Sequence, residues 1–295
     1  MIAPDAIWKL GQERATARAA KDFALADRLR DEIAVAGWDV IDIGGEFELH
    51  KRLRYLLAER VQKINPMFHG CEIAIAMIVS GFHDDVIETV KSIRAHCDTP
   101  IVILAFEEIG LLEDVVDDKT TVIKVNENSG WGQAANALLQ KVQSEYVVIM
   151  DPSTLFTDDA ITPVLAELKR GAFAAVGWRG GLINLEDEWR TVDDKGAGEV
   201  DVLFSYFLAL DRQAALEVEG FNSRALYYRN ADIEFSLKLR HARGHLLQMD
   251  LPLTQGRHHG YHDVNPAFRE VQSKKNYDRV LERFRGKNAI LSPRR

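Results

Sequence analysis

Ile73-Ala74-Ile75-Ala76-Met77-Ile78-Val79 is an apolar run of strand length, and Ser80-Gly81 closes it with a turn signal. It is the first of a series. Ile101–Phe106, Thr121–Val125, Tyr146–Met150 and Ala172–Trp178 are further β-rich runs. Helical stretches over 84–97, 110–117, 131–143 and 158–170 separate them. Short strands alternating with helices predict an α/β fold with a mostly parallel sheet wrapped by helices. Downstream, Asp201–Leu210 and Leu246–Leu251 add two strands, with a helix between them over 230–243. Pro266 to Arg285 reads as a basic amphipathic helix.

Upstream of Glu72 the pattern is different. Ile7, Leu10, Arg14 and Ala17 follow helical spacing, and Phe23, Ala26, Leu29 and Ile33 continue an apolar stripe, so residues 1–50 read as a helical hairpin. Gly37 is placed to end the second helix, and Trp38–Ile43 alternates before a turn at Gly44-Gly45. The run from Gln12 to Phe23, continued by Ala26–Ile33 and Gly37-Trp38-Asp39-Val40, resembles the C-terminal end of cysteinyl-tRNA synthetases. No HIGH or KMSKS signature and no zinc-ligand set accompany it, which excludes aminoacylation. Residues 51–66 read as a basic amphipathic helix with Leu53, Leu56, Leu57, Val61 and Ile64 on one side, ended by Asn65-Pro66. The expected organisation is a hairpin domain (1–50), a basic linker helix (51–70), an α/β domain (71–263) and a basic C-terminal helix (264–295), with the domain boundary near residue 68.

Charge and composition narrow the function classes. The 295 residues carry a net charge of −8, unevenly spread. Residues 1–50 hold 6 basic and 10 acidic side chains, a balance of −4, which argues against nucleic acid as the partner of that segment. Residues 71–263 hold 17 against 31, or −14, so an anionic ligand there needs a cation or a local basic group. The apolar runs are too short to span a bilayer and no leader pattern is visible. Cys71 and Cys97 form neither a disulfide framework nor a metal-ligand pattern, which gives the expectation of reduced thiols in a cytoplasmic protein. The apolar hairpin invites self-association into a homo-oligomer.

In an open α/β sheet, ligands bind beyond the carboxyl ends of the strands. The residues expected there are Ser80 after the first strand, Glu107 and Glu108 after the second, Asn128 and Gly130 after the third, and Asp151 after the fourth.

The run Asn128-Ser129-Gly130-Trp131-Gly132-Gln133-Ala134-Ala135-Asn136, followed by Val147–Asp151, is similar to the family-2 glycosyltransferases of the GT-A fold. A second block supports the resemblance: Gly220-Phe221-Asn222, then Asn230-Ala231-Asp232-Ile233-Glu234, then Gly244-His245, Pro252 and His258-His259. The resemblance covers about residues 72–262. It implies an inverting, nucleotide-sugar-dependent transferase with a divalent cation, Mg or Mn, and an acceptor it does not identify. It implies Asp232 as the catalytic base, Asp151 with His258 and His259 as metal ligands, and Ser80, Glu107, Asn128, Gly130, Asn136 and Arg257 on the donor. The residues alone also allow Asp151 and Asp232 to be loop and helix caps, and Glu234 to be structural or to orient Arg229 or Arg240. This chain departs from the family pattern in three places. The usual Asp-x-Asp reads Asp151-Pro152-Ser153, the usual Asp-Asp-Gly-Ser run reads Ala105-Phe106-Glu107-Glu108, and the acidic pair reads Ala231-Asp232. These losses motivate an alternative, a non-catalytic binding module of the same fold acting through its helical N-terminal domain.

Overall fold

The computed structural model describes residues 3–242, 244–255 and 264–294, and the chain forms two compact units, Met1–Arg54 and Tyr55–Arg295. In the first, α1 (Asp5–Ala19) and α2 (Phe23–Val35) pack as the expected hairpin, and Asp22 caps α2 by accepting from Leu25 N at 3.0 Å. Gly37, at φ +81°, turns the chain into β1 (Trp38–Ile43), which pairs antiparallel with β2 (Glu46–Lys51). Arg14 lies within the apolar stripe of α1 and is nevertheless buried. Its guanidinium makes a two-pronged pair with Asp42 of β1, at 2.8 and 3.0 Å, which compensates the buried charge and pins helix to hairpin.

The second unit departs from the expected helix at its start. Residues 51–66 are not a helix. Leu56–Ala58 is a strand, β3, and Val61–Lys63 a single 3₁₀ turn. The strand pairs parallel with β6 (Thr120–Val125), and the ladder continues through Asn126 N to Ala58 O at 3.0 Å. Sheet pairing prevails because it covers the edge of β6, which otherwise presents a row of open backbone groups. Ala58, Val61 and Ile64 face the core while Leu53, Leu56 and Leu57 are exposed, so the apparent helical stripe was never one face.

The rest of the framework follows the expected alternation. β4 (Ile73–Val79), α3 (His83–His96), β5 (Ile101–Ala105), β6, α4 (Trp131–Lys141) and β7 (Tyr146–Met150) come first. The stretch 110–117 is a 3₁₀ segment, Gly110–Val115, rather than an α-helix. After β7 come β8 (Thr154–Phe156), α5 (Ile161–Lys169), β9 (Ala175–Gly177) and a small sheet of β10 (Gly180–Ile183), β11 (Val192–Asp193) and β13 (Val202–Leu203). β12 (Gly198–Val200), β14 (Phe207–Asp211), α6 (Arg212–Glu217), α7 (Ala231–His241), β15 (Leu246–Gln248), β16 (Leu253–Gln255) and α8 (Pro266–Phe284) complete the unit. The main sheet has nine strands in the order β12-β15-β9-β14-β7-β4-β5-β6-β3. It is parallel except for β14 and β12, which run against their neighbours.

Alternation along the central strands divides the core. Ile73, Ile75 and Met77 pack with α3 and α5, while the small Ala74 and Ala76 face the other layer with Ala134, Ala135 and Leu138 of α4. A third cluster joins α7 and α8 through Ile233, Leu237, Val280 and Phe284. Asp201, fully buried, accepts from Ile183 N at 2.8 Å and from Ser292 N at 2.5 Å, which fastens the C-terminal segment to the small sheet. No helix among the described residues is long and apolar enough to cross a membrane.

One difference from the sequence reading sets up the site. Asp201–Leu210 is not one strand. The chain leaves the ladder at Phe204-Ser205-Tyr206, between β13 and β14.

Candidate functional site

Parallel β4, β5, β6 and β7 deliver their C-terminal residues to one rim of the sheet, and two adjoining cavities lie there. The first is mostly apolar. Ser80, Phe106 and Asp151 from the strand tips line it, with Asn128 and Trp131 ahead of and on α4, and Phe268 of α8. The second is more polar and holds Tyr206, Asp232 and Tyr277, with Arg190, Thr191, Arg229 and Asn230. Asp151, Ser205 and Tyr228 belong to both and form the wall between them.

The two candidate acids are held by the break between β13 and β14. The Asp151 Oδ1 accepts from Ser153 N at 2.8 Å and Ser153 Oγ at 2.6 Å, while its backbone N donates to Tyr206 O at 3.2 Å. The Asp232 Oδ2 accepts from both Ser205 N, at 2.9 Å, and Ser205 Oγ, at 3.1 Å, and its Oδ1 accepts from Ile233 N at 3.0 Å. Adjacent residues of one irregular segment therefore hold the Asp232 carboxylate, through Ser205, and the Asp151 backbone, through Tyr206, while Ser153 fixes the Asp151 carboxylate. The position capping α7 is occupied by Asn230, in the left-handed region at φ +67°, and Asp232 directs one oxygen across to Ser205 instead of capping the helix.

Burial pushes the Asp232 carboxyl up to about 6, against the opposing pull of the Ser205 and Ile233 donors. Burial also pushes the Tyr206 hydroxyl up to about 12, reinforced by the nearby charges of Asp232 and Asp151. The Tyr228 hydroxyl is raised as well, first by burial. At neutral pH the site thus holds a largely ionised, strained-for-charge carboxylate beside phenols that remain hydrogen-bond donors.

The other expected residues are distributed unevenly. Ser80 lines the first cavity and donates to Glu107 Oε1 at 2.9 Å, which ties the tips of β4 and β5 together; Glu107 itself is exposed and lines neither cavity. Asn128 lines the first cavity and accepts from Gly130 N at 3.0 Å. Gly130, at φ +85°, and Gly132, whose added Cβ would stand 2.1 Å from Asn222 O, let α4 press against the loop 222–226. That contact has a chemical consequence. Trp131 N and Gly132 N donate to Leu226 O and Ala225 O, so the first N–H groups of α4 are already used and are not a phosphate cradle.

Asn136 lines neither cavity. It accepts from Phe221 N at 2.7 Å and donates to Phe221 O at 2.8 Å, which locks α4 to the Gly220-Phe221 turn. Glu234 orients neither Arg229 nor Arg240. It accepts from Asn222 Nδ2 and pairs with Arg279 and Arg283 of α8, while Arg240 pairs with Glu199. Arg257, His258 and His259 lie outside the described residues. Among the described residues no group of three or more imidazole, thiol or carboxyl ligands is assembled, and Asp151 is the carboxylate at the strand tips that lines the cavities.

Sequence reasoning did not single out Ser205, Tyr206, Tyr228, Arg190 or Tyr277. The signal for the first two was present: a polar pair interrupting the apolar run from Val202 to Leu210. For the other three no local pattern marks them.

Residues 108–233 match the family model for glycosyl transferase family 2. No curated protein matches the chain. Among solved structures, GalNAc-T7 with UDP, GalNAc and Mn2+ superposes with a TM-score of 0.56 at 13% identity, over 72% of this chain and 48% of that one. The mannosyltransferase PcManGT from Pyrobaculum calidifontis, in complex with GDP-Man and Mn2+, gives 0.50 at 15% identity, over 73% of this chain and 66% of that one. The chain therefore spans about half to two thirds of the length of these relatives, and the α/β fold of the GT-A type is what they share with it. No comparison matches the synthetase-like segment.

Proposed function

We propose that this chain is a family-2 glycosyltransferase that moves a sugar from a nucleotide-sugar donor to an acceptor hydroxyl by a single, inverting displacement. The observation that carries the proposal is the placement of Asp151 and Asp232 on one polar cavity, next to an apolar cavity at the same strand tips. The apolar cavity suits a planar base, with Trp131 and Phe106 on its walls. The shared wall at Asp151 suits the diphosphate, and the polar cavity suits the sugar and the acceptor.

In this arrangement the ionised Asp232 takes the proton from the acceptor hydroxyl as that oxygen attacks the anomeric carbon. The bond from that carbon to the diphosphate breaks with its electron pair, and the nucleoside diphosphate departs. The relatives solved with Mn2+ support a divalent cation. Asp151 fits as its carboxylate ligand, because such ions are commonly held by one or two carboxylates plus substrate phosphates; His258 and His259 are the further ligands proposed. When bound, the ion would offset charge developing on the departing diphosphate. Arg257 is proposed as a further contact to the donor.

The test is nucleotide release from UDP- and GDP-sugars with Mn2+. Asp232→Asn is expected to lower turnover by about 10²-fold or more while UDP or GDP affinity stays within a factor of two to three (about 0.6 kcal/mol). Equal turnover in both proteins would remove Asp232 from the role of base. The reduced acidic motifs, Ser153 and Ala231 where the family carries carboxylates, favour one second reading, a non-catalytic binding module. Isothermal titration with UDP and GDP, with and without Mn2+, separates them: no nucleotide binding at all favours the module.

A further inference from the structure

The polar cavity contains more than the displacement needs. Its floor is acidic, with the buried Asp232 and the wall residue Asp151. Its mouth is basic, with Arg190 from the segment leading into β11 and Arg229 from the turn leading into α7, both exposed. Neither arginine lines the apolar cavity, and neither belongs to the wall the cavities share. Thr191, Asn230 and Tyr277 of α8 line the same cavity, but the Thr191 hydroxyl donates to Asp187 Oδ2, Asn230 Nδ2 to Ser273 O and the Tyr277 hydroxyl to Trp189 O, so they shape the mouth and leave the arginines to receive a ligand.

We infer that the acceptor is an anion: a hydroxyl compound carrying a phosphate or carboxylate group that Arg190 and Arg229 hold at the mouth, so that its hydroxyl is presented to Asp232 at the floor. This rests on reading the site as one of sugar transfer. The polarity of the cavity enforces one orientation. An anionic group at the floor would face two carboxylates, whereas at the mouth it meets two guanidiniums, the side chains best suited to planar, two-pronged recognition of phosphate or carboxylate. The α/β domain has a balance of −14, so it would repel an anionic acceptor unless such a local basic pair received it. Asp187 competes for Arg190. Asp187 lies beside Arg190, but its carboxylate accepts from Arg190 N at 2.8 Å and from the Thr191 hydroxyl at 2.5 Å, and among the described residues the Arg190 guanidinium makes no ion pair with it. Arg179, near enough to act on the Tyr206 hydroxyl together with Arg229, is stacked on Trp178 at 4.3 Å and does not line the cavity.

The test uses the full chain with saturating UDP or GDP and Mn2+, and four probes: glucose 6-phosphate and glucuronate against glucose and methyl glucoside. Binding is followed by isothermal titration and by resonances of ring-labelled tyrosine, with Tyr277 and Tyr206 assigned by substitution to Phe. The expected result is that at least one anionic probe binds and shifts these resonances, at an affinity ten-fold or more above that of the neutral probes. Arg190→Ala and Arg229→Ala should each weaken it about ten-fold, with nucleotide affinity unchanged and Arg190→Lys restoring part of the loss. Neutral and anionic probes binding alike, or no probe binding, overturns the inference. So does a loss of nucleotide affinity in the arginine variants equal to the loss for the probe, because the guanidiniums would then serve the donor. Anionic probes that bind in a protein with no affinity for either nucleotide would leave the anion site standing and end the sugar-transfer reading instead.

Discussion

Asp232 is an ionisable group in an unfavourable place for charge, and that makes its chemistry visible in two independent pH profiles. Its carboxyl is raised to about 6 by burial. In the proposed role of base it must be ionised, so nucleotide release should rise through pH 6 and level off above it. Ser205 opposes the burial by donating through both N and Oγ to the same oxygen. Ser205→Ala removes the hydroxyl donor, and the midpoint of the profile should move up by about 1–2 units, the effect of losing one hydrogen bond to a charged group; a profile that stays in place would show that Ser205 does not tune the acid. The stability profile has the opposite slope. Because the folded-state value lies above the unfolded one, the protonated carboxyl favours the folded state. That contribution is complete below the unfolded value near 4 and is lost as pH rises through 6. About two units correspond to about 3 kcal/mol. Urea unfolding between pH 4 and 7 should show this loss in the protein and not in Asp232→Asn.

At the scale of elements, the relevant unit is the pair formed by α4 and the loop 221–226. Asn136 holds Phe221 by both its backbone groups, and α4 begins on the carbonyls of Ala225 and Leu226. Asn136→Ala should cost about 2 kcal/mol of stability in urea unfolding, since it leaves two part-buried backbone groups without their partner. Nucleotide affinity of the folded protein should stay unchanged, because Asn136 touches neither cavity; a loss of affinity without a loss of stability would return Asn136 to the donor site. The framework of this unit was legible in the sequence because β4, β5 and β7 are continuous apolar runs bounded by turns. The two- to four-residue strands β8, β10–β13 and β16 were not, since a strand that short has no period to detect and is defined by its partner. The same limit explains Leu56–Ala58, whose spacing imitates a helix while its hydrogen bonds belong to β6. Asp151 and Asp232 could be read from their places in the motifs. The residues that fix or surround them could not, because Ser205, Arg190 and Tyr277 come from three separate segments that only the tertiary fold assembles.

For the molecule as a whole, the division after Arg54 makes a clean experiment. A chain starting at Tyr55 keeps β3 and should unfold cooperatively and bind nucleotide with unchanged affinity. One starting at His69 loses β3, exposes the edge of β6 and uncovers the core around Val61 and Ile64, so it should aggregate. Light scattering on the Tyr55 chain beside the full chain also tests whether the helical hairpin drives self-association, the expected sign being a smaller particle without it. A last consequence concerns folding. Asp201 takes one of its partners from Ser292, ninety-one positions further along the chain. Until residue 292 is in place, that carboxylate lacks this donor. The small sheet that carries the mouth of the polar cavity is therefore expected to settle only once residues 288–292 have docked, so a segment remote in sequence from the cavities acts as the clasp of their rim.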